Sequence, residues 1–291
     1  MGKRILLFVV TNLAIMVMVS IVLSLLGITG YYRPDGGINY TALMVFCLAW
    51  GMLGSVASLL MSRAIAKMSL GVKLVNGQTG QADLDWLYVT VARLAQQANL
   101  PIPEVGFYDS AEVNAFATGP SRRKSLVAVS SGLLRNMRRD EVEGVLAHEL
   151  SHIQNGDMVT MTLLQGVVNA FVMFLARVIA GIVRNAADER YAYLLSIVVT
   201  LVLDIAFGLL GAMVVARFSR AREFRADAGA AALAGREKMI AALRRLQTTK
   251  QLVDNSQPEL ATLKINGGRA MMLLATHPPL EARIAALEHM R

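Results

Sequence analysis

The chain has 291 residues, 55% of them hydrophobic and 17% charged, with a net charge of +8. Soluble domains carry about a quarter charged residues, so this composition departs from an ordinary soluble protein and points to membrane segments. The positive balance is read as basic residues gathered at one membrane face, because no basic patch is interleaved with aromatics as nucleic-acid binding would ask; the single cysteine, Cys47, excludes an intramolecular disulfide framework.

The first apolar run is Ile5 to Gly27, "ILLFVVTNLAIMVMVSIVLSLLG". A helix needs about 20 such residues to cross the hydrocarbon core. Lys3 and Arg4 before it suggest a signal peptide, but the run exceeds a usual h-region and no small-x-small cleavage site precedes "YYRPDGG". The second run, Ile38 to Met61, contains "GMLGS", whose small residues permit close helix packing. Residues 67–85 read as a connector. Leu84 to Ala98 has helical periodicity in Leu87, Val91, Leu94, Ala95 and Ala98. "LPIPEVGFYDS" reads as a turn and a short strand. Arg123 to Leu134, "RKSLVAVSSGLL", alternates enough to be a strand. In "RRDEVEGVLAHELSH", Asp140 with Glu143 three residues on predicts the helix start. Two more apolar runs follow, Met158 to Val183 and Tyr191 to Phe218. After them come an Ala-rich helix through "REKMIAALRRL" and a polar, less ordered stretch, "QTTKQLVDNSQPELATLK". No internal repeat is present.

Lys and Arg near the span ends set orientation. Lys3 and Arg4 precede the first span, Arg63, Lys67 and Lys73 follow the second, and Arg217, Arg220, Arg222 and Arg225 follow the fourth. The turn between the first two runs holds only Arg33; that between the last two holds Arg184 and Arg190, offset by Asp188 and Glu189. Both termini and residues 62–157 are therefore expected in the cytoplasm. The rival reading makes the last two runs buried helices of a soluble domain. Their length opposes it, although Arg177 and Asp204 lie within them. Such charges are costly in a bilayer; both are read as structural, with mutual pairing, though staggered, available to Asp204.

His148, Glu149 and His152 satisfy H-E-x-x-H. Positions i and i+4 share one helix face, so both imidazoles can bind one ion, and the glutamate sits beside the water to be activated. Half of the four histidines stand in this motif, which makes an accidental surface pair a poor explanation. A catalytic zinc also needs a third protein ligand and an open position. The longer metzincin pattern fails, since Asn155 and Met158 stand where glycine and histidine belong. An intramembrane protease would carry the motif inside a span, whereas here it precedes one. Glu223 in "FSRAREFRADAGAAAL" remains as the third ligand. Asp227, four residues on and on the same face, is placed to accept the other ring N–H of a ligand histidine. Without the zinc motif, Glu223 would be read as a salt-bridged acid among Arg220, Arg222 and Arg225.

Together, "AHELSHIQNGD", "SRAREFRADAGAAAL", "NAFATG" and "THPPLEARIAAL" resemble the HtpX family of bacterial membrane zinc proteases, related to the CAAX prenyl proteases. The resemblance covers nearly the whole chain, without departure at the motif positions. It implies a mainly α, four-span transmembrane protein with a cytoplasmic zincin-like (gluzincin) domain carrying a small β-sheet. The parts expected are an N-terminal hairpin (1–62), a first protease segment (63–157), a second hairpin (158–218) and a second protease segment (219–291). It implies one Zn2+ per chain on His148, His152 and Glu223, with Glu149 as general base. Asn114 of "NAFATG" would bind substrate backbone, and His277 of "THPP" would stabilise the oxyanion. The family's fold also suggests an edge strand at 123–134, to which an extended substrate would add by main-chain bonds.

The expected activity is a zinc metalloendopeptidase of protein quality control and stress response. It would cut misfolded or damaged membrane proteins, with the chain itself a possible substrate, in the bacterial inner membrane with the site facing the cytoplasm. No nucleic-acid partner is expected. A transporter with a structural zinc is the rival from another class. It is opposed by a ligand set of two histidines and one glutamate, which leaves a position for water. An inactive scaffold is opposed by the intact motif.

Overall fold

The computed structural model describes residues 2–25, 27–28, 30–33, 37–256 and 273–290. It is mainly helical with one small mixed sheet, and it divides into two compact units, residues 1–59 with 161–215 and residues 60–160 with 216–291.

The first unit holds helix α1 (Gly2–Leu25), helix α2 (Tyr40–Leu48), a π-helical turn (Ala49–Leu53) and the start of helix α3 (Gly54–Leu70). It also holds most of helix α7 (Asp157–Ala186) and the first half of helix α8 (Glu189–Ala234). Asn39 caps α2, its side-chain oxygen accepting the Ala42 N–H at 3.1 Å. Among the described residues, three continuous helical stretches are long and apolar enough to cross a membrane: Tyr40–Leu70, Asp157–Ala186 and Glu189–Ala234. Among the described residues of α1, Ile15–Leu25 is an apolar helical stretch. The small residues of "GMLGS" do permit close packing: a Cβ at Gly51 would stand 2.5 Å from the Gly166 carbonyl oxygen and 2.9 Å from the Ala170 Cβ. The stagger expected between Arg177 and Asp204 leaves them within reach, with Nη1 3.6 Å from Oδ1. Arg177 also donates to the Met173 carbonyl at 3.1 Å.

The second unit is built on a four-stranded sheet in the order β1-β2-β4-β3, with β1 (Lys73–Val75), β2 (Glu104–Tyr108), β3 (Ala115–Ser121) and β4 (Lys124–Ser130). The β2–β4 pair is parallel; β1–β2 and β3–β4 are antiparallel. Helices α4 (Ala82–Gln97), α5 (Ser131–Asn136), α6 (Arg139–Asn155), α9 (Arg236–Ser256) and α10 (Leu280–Glu288) belong to it, with the end of α3, the start of α7 and the second part of α8. Val127 and Val129 of β4 face the main core with Leu94, Leu146 and Leu150, while Leu126 and Ala128 pack with Tyr108 in a second cluster.

The strand expected over 123–134 is shorter, and it is internal rather than an edge. Covered on both faces, it reads as a buried run instead of an alternating one, and it ends where Ser130 caps α5 by accepting the Leu133 N–H at 3.0 Å. The edge beside it is β3, directly after Asn114. The connector at 67–85 contains the last turn of α3 and strand β1. Helix α6 begins after Arg138, not at Asp140. Glu141 accepts the Arg138 N–H at 2.8 Å, which is half a capping box, because an arginine side chain has no acceptor to complete it. Glu143 is instead held at 2.8 Å by Arg93 and at 2.8 Å by Lys238. The polar stretch from Gln247 is helical through Ser256; residues 257–264 of it lie outside the described residues.

Two glycines shape α6. Gly156 ends it in the left-handed region (φ 70), donating to the His152 and Ile153 carbonyls, and Asp157 opens α7 immediately after. Gly144 lets α9 approach: a Cβ there would stand 2.7 Å from the Lys238 carbonyl oxygen. Gly144→Ala should therefore destabilise the second unit by about 1–3 kcal/mol, read as a fall of several degrees in Tm by scanning fluorimetry in detergent. Gly208→Ala in α8, which meets nothing within 4 Å, should not lower Tm.

Candidate metal centre

The i,i+4 spacing places His148 and His152 side by side on α6, only 7% and 8% exposed. Their Nε2 atoms lie 3.1 Å apart. Glu223 of α8 has no exposed surface; its Oε2 is 3.4 Å from His148 Nε2 and its Oε1 is 3.4 Å from His152 Nε2. The three groups can offer one ligand atom each, all within 4.8 Å of one another.

These separations fit a small metal ion. With metal–ligand bonds near 2.0–2.2 Å, ligand atoms of a tetrahedral site stand about 3.3 Å apart, close to the observed 3.1 and 3.4 Å. Among the described residues, no group hydrogen-bonds to the buried Glu223 Oε1, an unusual state for a native carboxylate unless an ion occupies it. Two imidazoles and a carboxylate suit zinc and leave a fourth position for water.

The outer ring nitrogens are held by carboxylates. His152 Nδ1 is 2.7 Å from Asp157 Oδ2, and His148 Nδ1 is 2.9 Å from Asp227 Oδ1. Each Nδ1 is thus assigned as the N–H donor, which leaves each Nε2 with its lone pair for an ion. Burial alone would depress the imidazoles. At His152 the Asp157 and Glu223 carboxylates outweigh it and push the pKa up to about 9; at His148, Asp227 and Glu223 also produce a rise. Burial would raise Glu223, but His148, His152 and His277 hold it far below the usual carboxylate range. Asp227 is lowered in the same way, against burial, by Arg283 and His148.

A cleft of about 220 Å³ opens beside these ligands. His148, Glu149, Glu223, Asn114 and His277 all line it, so the structure brings together five residues named from the sequence, with His152 and Asp227 buried around it. Asn114 stands at the head of β3, its N–H donating to Ser130 Oγ at 3.1 Å and its carbonyl accepting the Ser130 N–H at 2.9 Å. His277 lies at the rim with Nδ1 2.8 Å from Glu223 Oε2 and its side chain 61% exposed. Val113, Leu133, Met239 and Leu243 give the cleft an apolar wall.

Two residues escaped sequence reasoning. Asp157 follows His152 by five, across the Gly156 turn; the signal was "NGD" directly after the motif. Arg283 of α10 is 6% exposed and grips Asp227 through Nε and Nη2. Its signal was a basic residue on the Ala-rich face of "LEARIAAL", too weak to act on.

A sequence model of peptidase family M48 matches residues 81–291. The chain is 50% identical over 295 residues to Protease HtpX homolog of Bacillus licheniformis, covering 99% of each chain. It is 50% identical over 297 residues to Protease HtpX of Aeromonas salmonicida, covering 98% of this chain and 99% of the relative. The fold resembles that of the crystal structure of S. mikatae Ste24p with a TM-score of 0.65 at 18% identity, covering 99% of this chain and 66% of that one. That last likeness speaks for fold alone.

Asp157→Asn should weaken metal binding by about 10–100-fold, because such supporting carboxylates contribute that much. Arg225, 3.6 Å from Asp157 but 66% exposed, should matter little: Arg225→Gln should change affinity by about fivefold or less. Competition with a chromophoric zinc chelator measures both.

Proposed function

The chain belongs to peptidase family M48, and on that premise we propose that this metalloprotease is a zinc endopeptidase of the bacterial cytoplasmic membrane. It cuts misfolded or damaged membrane proteins on the cytoplasmic side, as part of quality control under stress. The observation that carries the reading is the convergence of His148, His152 and Glu223 beside a cleft that Glu149 lines. One Zn2+ is held by the first three.

Zinc, when bound, supplies Lewis acidity and makes water a stronger acid. Glu149 takes the proton from the attacking water and returns it to the leaving amine. Asn114 holds the substrate backbone at the cleft, where the Ser130 side chain and backbone fix its own main chain. His277, at the rim beside Glu223, stabilises the oxyanion by hydrogen bonding. Asp227 and Asp157 keep the two ligand histidines oriented. An extended substrate adds to the β3 edge, next to Asn114, through main-chain bonds that ignore side-chain identity. That suits a protease with many damaged substrates, and the apolar wall of Val113, Leu133, Met239 and Leu243 offers a place for an apolar side chain beside the scissile bond.

The chain crosses the bilayer four times, with α1 joining the three longer helical stretches as a span. The parts are then a hairpin over 1–62, protease segments over 63–157 and 219–291, and a second hairpin over 158–218. The Lys and Arg that flank these segments support a cytoplasmic catalytic unit.

Glu149→Gln should keep about one zinc per chain while cleavage of casein or an unfolded membrane protein falls by about 10²-fold or more. Parallel metal analysis and a gel-based cleavage assay read the two arms; equal cleavage by variant and parent would remove Glu149 from the mechanism. Topology is checked separately by labelling single cysteines, in a Cys47→Ser background, at Ser121 and in the 27–33 turn. Ser121 should be protected from impermeant reagent in intact cells and the turn labelled; the reverse pattern would invert the proposed orientation.

A further inference from the structure

We propose that Arg283 is a positioning residue for the metal ligand His148, acting through Asp227. This rests on the zinc reading above and assigns a task to a residue that reading does not use. Arg283 is 6% exposed, and Asp227 is 2% exposed. Its Nε donates to Asp227 Oδ2 at 2.7 Å and its Nη2 to Oδ1 at 2.6 Å. Both carboxylate oxygens are therefore engaged in a planar fork, the geometry that only arginine offers.

That fork decides where Asp227 points. Oδ1 receives Arg283 Nη2 and also stands 2.9 Å from His148 Nδ1. Arg283 Nη2 is itself 3.4 Å from His148 Nδ1, but one nitrogen cannot donate to the carboxylate and accept from the guanidinium with the same site. The shorter, charge-assisted contact to Asp227 prevails, so Nδ1 carries the proton and Nε2 keeps its lone pair. Arg283 thus fixes the orientation and tautomer of His148 without touching the metal. Its Nη1 also lies 3.6 Å from Glu223 Oε2, so its charge offsets two buried carboxylates on one face of α8.

The other ligand histidine lacks this support. Asp157, which holds His152, has Arg225 at 3.6 Å, and that side chain is 66% exposed. Asp227 is instead gripped by a guanidinium that is itself buried.

The test is zinc affinity of the full-length protein in detergent, by chelator competition, together with kcat and KM at saturating zinc. Arg283→Lys keeps the charge and loses the fork; Arg283→Gln loses both. Each should raise the zinc dissociation constant by about 10–100-fold, with Asp227→Asn similar. The Arg283→Gln/Asp227→Asn pair should be no weaker than the worse single variant, since both act on one link. If Arg283→Gln fails to fold by circular dichroism, Arg283→Lys and Asp227→Asn carry the test. Parental zinc affinity in Arg283→Lys, or losses that add in the double variant, overturns the proposal. So does a fall in kcat with unchanged zinc affinity, which would place Arg283 on the substrate instead. A parent that binds no zinc at one per chain would sink the metal reading itself, a result distinct from these.

Discussion

A carboxylate with no exposed surface, facing two buried imidazoles, is the constraint on which the second unit depends. Burying a charge is expensive unless it is paired or bound to a metal. Glu223 is met on one side by His148 and His152, on another by His277, and Arg283 stands behind. Each histidine in turn has its own acid, Asp227 or Asp157, at its outer nitrogen. Every buried acid at this site answers a buried base, and a divalent ion would complete the balance. The alternative, a set of unmatched charges in the core, would not persist.

The chain assembles this cluster from distant places. Helix α6 brings the two histidines and stops at Gly156; α7 begins with the Asp157 that holds one of them. The chain then leaves for the long apolar helices and returns along α8, which presents Glu223 and Asp227 one turn apart. The last helix, α10, adds Arg283 from 56 residues beyond Asp227. The apolar helices thus lie, along the chain, between the motif histidines and Glu223.

Local periodicity made part of this legible. The i,i+4 pairs His148/His152 and Glu223/Asp227 lie within single helices, so spacing alone places each pair on one face. The apolar runs were legible because length and hydropathy are properties of the segment itself. What failed was non-local. Strand β4 has the sequence of a strand, but only its neighbours β2 and β3 make it internal, and no residue of "SLVAVS" records who its neighbours are. The helix start was read at Asp140 because an acid three residues on, Glu143, is a sound capping signal. Arg93 and Lys238, both far in sequence, claim that acid instead. Arg283 was beyond reach for the same reason: its partner lies on another helix, and an arginine in a C-terminal helix is ordinarily a solvated one. Asp157 was nearer to hand, but it lies past a left-handed glycine, where helical spacing no longer applies.

The most direct measurement is zinc X-ray absorption on the purified full-length protein. The account predicts a four-coordinate site of nitrogen and oxygen donors only, at about 2.0–2.2 Å, with the multiple-scattering signature of two imidazoles. Glu223→Ala should remove a light-atom donor or empty the site. A sulfur donor near 2.3 Å, a single imidazole, or a spectrum unchanged by Glu223→Ala would contradict it.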